Sequence, residues 1–199
     1  MSQFRTALLG VSLLFILSAF NQTITAQGPT AVARPERSYE VSLQVLVGTN
    51  EPGAGAAVPQ SLAGIVRDLK PRFAFENYRL ANTYFGRIGT AGTLEYKSVT
   101  NILGQDAEAD SPSFLEWTIG RLDGTVDSGP RGIISAQPFR FGARVPIRTT
   151  APNVVYESIG FNVNKLNFRE NTPTLVGTLN LPKTAGTLFL VVTAKPVDE

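Results

Sequence analysis

The sequence predicts a mainly β protein of the α+β class, with antiparallel sheets packed as a sandwich and one short helix. Three observations predict this fold. Apolar and polar residues alternate from Tyr39 to Val47, which is the period of a half-buried strand. Seven further β-type stretches follow, separated by glycine and proline turns. The last of them, Thr187 to Ala194, is apolar at odd and even positions alike, as in an interior strand covered from two sides.

The first strand is followed by a long loop of small residues, Gly48 to Gln60, and then by the predicted helix at 61–69. Apolar residues recur there at helical spacing, Ser61 offers an N-terminal cap, and Pro71 ends the helix. A helix of two to three turns is unstable alone, so it must pack on a sheet. One apolar face of the strand from Thr187 to Ala194 is available for it.

The next predicted strand, Phe73 to Phe85, is rich in aromatic residues, and its apolar side changes parity near Tyr78. That change predicts a bulge or a bend. The remaining predicted strands, which bring the total to around eight, are Leu94 to Val99, Phe114 to Leu122, Ile133 to Arg148, Val154 to Phe168, Thr174 to Leu181 and Thr187 to Ala194.

The N-terminus has the pattern of a signal peptide over residues 1–26. Arg5 supplies the positive charge, Ala7 to Phe20 the apolar run, and Ala26 a small residue before cleavage. Ala31-Val32-Ala33 is an alternative cleavage region. An uncleaved anchor is the alternative to cleavage, in which case this segment alone would meet the membrane. Residues 27–37 are expected to form a flexible lead-in, and 38–199 one β-rich domain, with 104–112 as the place where it would divide.

The chain has no histidine and no cysteine. Ser-His-Asp and Cys-His catalytic arrangements are therefore impossible, as are zinc sites built on these residues. A carboxylate pair of glycosidase type survives this exclusion. We expect a non-catalytic protein without a cofactor. The formal charge of +2 gives no electrostatic reason to expect nucleic-acid binding. An exported protein that folds without disulfides fits a bacterial periplasm, outer envelope or cell surface.

Three acidic residues alternate with alanine in a predicted loop: Asp106, Glu108 and Asp110. Carboxylates at this spacing can converge on calcium. An EF-hand loop counted from Asp106 fails, because Ser111 stands where glycine is needed and Trp117 where glutamate is needed. The alternative interpretation is a solvated acidic loop tip.

Three arginines fall on alternate positions of one predicted strand: Arg140, Arg144 and Arg148. The opposite face of this strand is apolar, so the arginines form a ladder that could bind an acidic partner protein or an anionic envelope component. Pro146 cannot donate a ladder hydrogen bond, which predicts an edge strand. Charges that protect such an edge from unwanted pairing are the alternative interpretation.

The aromatic residues allow two interpretations. Trp117 shares a face with Leu115 and Ile119, which predicts core packing. Tyr78, Tyr84, Phe85 and Tyr96 are candidates for an exposed sugar-binding platform, although core membership is the safer prediction.

Three segments, Phe141 to Ile147, Tyr156 to Val163 and Gly186 to Val197, resemble the β-domain of secretins, the outer-membrane channels of type II secretion and type IV pili. The strand from Tyr39 to Val47, the helix and the strands after it are similar to the ring-building modules that precede that domain. The chain is equally similar to small exported bacterial β-proteins. The resemblance implies assembly with other envelope proteins, but the long membrane-lip strands of a pore are missing.

Two functions follow. The preferred one is a non-catalytic exported envelope protein that binds or scaffolds another protein through exposed strand edges, since strand addition uses main-chain groups. The alternative is a surface protein that binds or cleaves carbohydrate through tyrosines and paired acids.

Overall fold

The computed structural model describes residues 37–50, 57–100, 112–125, 132–147, 154–181 and 186–197. The predicted signal peptide and all of the lead-in except Arg37 lie outside these ranges. A 3-10 turn at Gln60–Leu62 leads into α1, Ala63–Leu69. The strands are β1 Ser38–Thr49, β2 Asn77–Gly89, β3 Thr93–Thr100, β4 Ser113–Gly120, β5 Leu122–Thr125, β6 Ile133–Ala136, β7 Phe139–Ile147, β8 Val155–Val163, β9 Leu166–Arg169, β10 Thr174–Asn180 and β11 Gly186–Val197.

The strands form three antiparallel sheets, so the predicted mainly β fold with one short helix after the first strand is confirmed. The first sheet has the order β10-β11-β1-β2, the second β3-β4-β7-β8, and the third β5-β6-β9. The first sheet packs against the second and third across the main core. This core contains the alternate residues Val41, Leu43 and Val45 of β1, together with Trp117 of β4 and Phe141 of β7.

The first sheet is buried on its other face as well. Leu46 on β1 and Phe189 and Val191 on β11 point away from the main core into a second cluster. Leu62 and Leu69, from the turn and α1, cover this cluster. The prediction that the last strand is covered on two sides, with the helix on one of them, is confirmed.

Aromatic rings complete the helix-side cluster. Phe73 and Phe75, in the connection between α1 and β2, meet the ring of Phe189 edge-on at 4.9 and 6.2 Å between centroids. The sequence places both phenylalanines in a strand, but β2 begins only at Asn77. Neither helical segment in the described ranges is long and apolar enough to cross a membrane.

The predicted irregularity in the second strand is real and lies at Ala81, three residues beyond Tyr78. Val45 pairs with Asn82 and Leu46 pairs with Leu80, so Ala81 is the extra residue of a bulge. Even-numbered residues of β2 therefore face the helix-side cluster before Ala81 and the main core after it. Tyr78 packs in the helix-side cluster, and Tyr84 packs in the main core.

Three of the predicted strands are each two strands, which raises the number in the described residues to eleven. The chain passes between the second and third sheets at three breaks, which lie at Arg121, at Gln137-Pro138 and at Asn164-Lys165. The order β4-β7-β8 is continued as β5-β6-β9, so the three breaks form one common corner. Gln137 N–H donates to the carbonyl of Gly120 at 3.0 Å, and Gly120 N–H donates to that of Pro138 at 2.9 Å.

The corner requires a close approach of two backbones. A Cβ added at Gly120 would lie 2.6 Å from the carbonyl oxygen of Gln137, which is backbone and cannot move aside locally. We expect Gly120→Ala to lower the free energy of unfolding by about 1–3 kcal/mol. Urea unfolding followed by Trp117 fluorescence measures this.

The matched control is Gly64→Ala on α1, where an added Cβ meets nothing within 4 Å. This substitution should raise the free energy of unfolding by about 0.5 kcal/mol, because alanine favours helix. Equal effects of the two substitutions would contradict the close contact at the corner.

Buried tyrosines should make stability fall at alkaline pH. Burial raises the pKa of Tyr39, with a further contribution from the Glu170 carboxylate, and burial also raises the pKa of Tyr84. The folded protein then holds these protons more tightly than the unfolded chain, so their contribution is complete below about pH 10 and is lost as pH rises above it. Combining Tyr39→Phe with Tyr84→Phe should reduce the loss of urea-unfolding stability between pH 8 and pH 11. An unchanged loss would show that other groups cause it.

Candidate binding groove on the second sheet

The outward face of the second sheet carries a groove of about 660 Å³ that crosses all four of its strands. Its lining residues are Lys97, Ser98 and Val99 of β3, Phe114, Leu115 and Glu116 of β4, Gly142, Ala143 and Arg144 of β7, and Ser158, Ile159 and Gly160 of β8. The opposite face of these strands is occupied by the main core. Because side chains alternate along a strand, the main core lies on one face of this sheet and the open groove on the other.

Cross-strand pairing arranges the outward side chains in two rows at right angles to the strands. The first row contains Lys97, Glu116, Gly142 and Gly160. The second contains Val99, Phe114, Arg144 and Ser158. The two adjacent glycines leave the β7–β8 half of the first row without side chains.

One end of the groove is aromatic and positively charged. The guanidinium carbon of Arg144 lies 5.0 Å from the centroid of the Phe114 ring, a cation–π distance. Tyr156 lies 5.6 Å from the same ring, centroid to centroid. The contact with Phe114 restrains the arginine, which remains exposed to solvent.

Glu116 lies over the bare part of the first row. A Cβ added at Gly142 would be 3.4 Å from both Cγ and Oε1 of Glu116, so this side chain leans from β4 across β7. Its neighbour Lys97 instead pairs with Glu95, with 2.9 Å between Nζ and Oε1. Hydrogen bonding to Glu95 and the charge of that carboxylate raise the pKa of Lys97.

The groove ends at β8, which has one neighbour, β7, in the described part of the chain. The first half of β8 is exposed on both faces, from Val155 to Ser158. Three apolar residues at the start of β8 and just before it are exposed, with exposed fractions of 48% for Val154, 43% for Val155 and 37% for Tyr156. β10 packs against β8 at Phe161, in the second half of the strand, where Gly177 leaves room for the phenylalanine ring.

The structure places two of the three predicted arginines on this face. Arg144 lines the groove, and Arg140 lies further along β7, exposed and paired in register with Thr118 and Asn162. Arg148 lies outside the described residues. The binding role predicted for the arginines stays a prediction.

The prediction that the arginine strand is an edge strand is wrong, because β7 lies between β4 and β8. Pro146 is tolerated for a local reason. β4 pairs with β7 only as far as Arg144, so in the described residues Pro146 has a strand on one side only, where Tyr156 of β8 is its partner. A missing N–H there costs no bond to β4.

The predicted calcium ligands Asp106, Glu108 and Asp110 lie outside the described residues, and so does the region 104–111 of the predicted domain division. Within the described ranges no three acidic side chains are grouped in a way that could hold a metal ion. The calcium hypothesis therefore stays a prediction.

The proposed aromatic platform is not present. Tyr78 and Tyr84 are buried in the two cores, and Tyr96 packs against the main core. Phe85 alone of the four is exposed, at 64%. Trp117 is buried as predicted, and its ring stacks on Tyr96 at 6.3 Å between centroids.

Sequence reasoning missed Phe114, Glu116, Tyr156 and the glycine pair Gly142 and Gly160. The two glycines become neighbours only when β7 and β8 pair in this register, which the sequence does not reveal. One signal was available, since Gly142 interrupts the arginine face of its strand at an outward position.

The fold and groove define an antiparallel β-sandwich with a helix-covered sheet and a second sheet whose outward face is open. No protein-family model matches the chain, and no curated protein matches it. Among solved structures, it is similar to the secretin InvG of the Salmonella SPI-1 type III secretion injectisome, residues 176 to the end, in the open gate state. The identity is 10%, the TM-score is 0.40, and the match covers 96% of this chain and 66% of that one. A likeness this distant carries no functional argument.

The two glycines of the groove floor should respond differently to substitution. A Cβ at Gly142 meets only the flexible side chain of Glu116, whereas one at Gly160 would lie 2.5 Å from the backbone oxygen of Phe141. We expect Gly142→Ala to leave the free energy of unfolding within about 0.5 kcal/mol. Gly160→Ala should lower it by about 1–3 kcal/mol. Urea unfolding measures both, and equal losses would contradict the described floor.

Proposed function

We propose that this protein is a non-catalytic, exported envelope module that binds a partner protein by accepting one of its strands at the free edge of β8. The observation that carries the proposal is the first half of β8, which contains the exposed apolar residues Val155 and Tyr156, is exposed on both faces and is unpaired on one side in the described residues. An unpaired edge presents a row of main-chain donors and acceptors to an extended peptide.

The other sheet edges are protected, and the comparison favours β8. β2 and β10 each carry a bulge. β3 carries the Glu95–Lys97 pair, and its Ser98 and Thr100 side chains hydrogen-bond to Tyr84 and Asn82 of β2. β5 and β9 are four residues long. Bulges, charges and short length are devices that discourage pairing at an edge.

The first half of β8 has few such devices. Its pairing with β7 is continuous from Val155 to Val163, without a bulge, and its one charged residue is Glu157. Strands of this type would aggregate if nothing covered them. The exposure of Val154, Val155 and Tyr156 at the start of this edge therefore supports a binding role for it.

The partner-binding function is favoured over the carbohydrate alternative. Three of the four aromatic side chains on which a sugar platform depended pack in the cores. A non-catalytic role is supported by the missing histidine and cysteine, which leave carboxylates as the acid–base groups available near neutral pH. The signal-peptide pattern supports export and an envelope protein as the partner.

A photoreactive benzoyl-phenylalanine at Tyr156 tests the proposal in the native cell. Irradiation should link it to one dominant envelope protein, because the partner strand would lie one strand spacing, about 4.8 Å, from β8. The matched control places the same photoreactive residue at Asp68, whose side chain is 71% exposed. Asp68 lies on α1, which packs on the first sheet, whereas β8 belongs to the second sheet. Adding Val155→Lys should abolish the crosslink at 156 without unfolding the protein, because this side chain is exposed.

The same pattern of products from both positions, or no product from position 156, would contradict the proposal. A crosslinked product that persists with Val155→Lys would show that the contact does not use the β8 edge.

A further inference from the structure

The groove floor indicates what a strand at the β8 edge must carry. Such a strand would extend the second sheet, and its outward side chains would continue the two rows across the groove. The residue opposite Gly160 joins the first row. Its side chain would meet no side chain on β8 or β7, because Gly160 and Gly142 have none.

Gly160 and Gly142 thus form a path without side chains, and Glu116 lies at its far end, on β4. The added backbone would lie about 14 Å from β4, the strand that carries Glu116, which is three strand spacings. Glu116 leans from β4 over Gly142 and so covers part of that distance from the other side. A long unbranched side chain entering over Gly160 would reach the carboxylate, whereas a short one would leave the path open.

The charge at the end of the path is negative and has no direct ion pair. Lys97, opposite Glu116 on β3, is close enough for their charges to interact, but its Nζ pairs with Glu95, and no cation in the described residues lies within 4.0 Å of the Glu116 carboxylate. A side chain that crosses the groove from the added strand would partly remove Glu116 from water, which is unfavourable unless that side chain carries a cation.

We propose that the partner strand carries a lysine or arginine opposite Gly160, and that its side chain crosses Gly160 and Gly142 to pair with Glu116. This inference rests on the proposed strand addition at β8. It assigns Glu116 as a specificity-determining residue and the glycine pair as the channel for the cation. Arg144, in the second row, lies next to the channel and disfavours a second basic residue opposite Ser158.

Selection from a displayed library of random decapeptides tests the inference without knowledge of the natural partner. Peptides enriched on the wild-type protein should share one lysine or arginine within an alternating apolar pattern. The basic preference should disappear on Glu116→Gln and persist on Asp68→Asn, which removes an equal charge from α1 and leaves the Lys97–Glu95 pair in place.

A selected peptide then allows a direct measurement by fluorescence anisotropy. Replacing its lysine by norleucine, or its arginine by citrulline, should weaken binding to the wild type by about fivefold. The same replacement should have no effect on Glu116→Gln. Gly142→Ala should weaken the basic peptide by narrowing the channel, with stability retained.

The outcomes separate this inference from the proposed function. Peptides that bind at position 156, as shown by the photocrosslink, but without a basic preference overturn the inference and leave strand addition intact. A basic preference that survives Glu116→Gln also overturns it. Failure to enrich any peptide at the β8 edge contradicts strand addition itself.

Discussion

Every layer of this protein depends on the antiparallel pair of β1 and β11. Twelve residues of each strand pair in continuous register, from Ser38 with Val197 to Thr49 with Gly186. The face towards the sandwich is buried by the main core. The opposite face is buried by α1 and its aromatic neighbours around Leu46, Phe189 and Val191, whereas Glu40 at its other end is exposed. Burial of apolar side chains stabilises by roughly 1.5–3 kcal/mol each, so two buried faces let a chain without disulfides fold on burial alone.

The corner shapes the opposite layer. Because β4, β6 and β8 each end at a break in this corner, the second sheet continues into the third, and both sheets contribute residues to the main core. The first half of β8 lies at the end away from this corner, where the first sheet does not cover it. The exposed edge of β8, the glycine pair and the aromatic group at Phe114 therefore all belong to the second sheet. One face of this sheet packs in the main core, and the other is open.

Sequence reasoning predicted the features that depend on local periodicity. It found β1 from its alternation, α1 from its spacing, and the two-sided burial of β11 from its unbroken apolar run. It could not find the corner, because Arg121, with its positive φ of 24°, is not a residue type that indicates a turn. The arginine strand was predicted at an edge because of Pro146. A proline is tolerated both at an edge and beyond the end of a shorter neighbouring strand, and the sequence alone does not distinguish the two.

The candidate site was less predictable than the fold. Arg140 and Arg144 were found because alternation alone identifies an outward face. Glu116, Gly142 and Gly160 form a row through pairing of three strands, and β4 and β8 are separated by more than 30 positions in the chain. A single sequence contains no direct record of such register. The exposed apolar residues of β8 resemble core residues until the structure shows that nothing in the described chain covers them.

Amide hydrogen exchange of the isolated protein, followed by NMR, tests the free edge of β8 most directly. Amides that bond to β7 should exchange slowly, and those between them, which point to the open side, should exchange within minutes over Val155 to Ser158. The amides of β1 and β11 should be protected throughout, since both strands are paired on two sides. Uniform slow exchange along β8 would contradict the account, because it would mean that the edge is already covered in the protein alone.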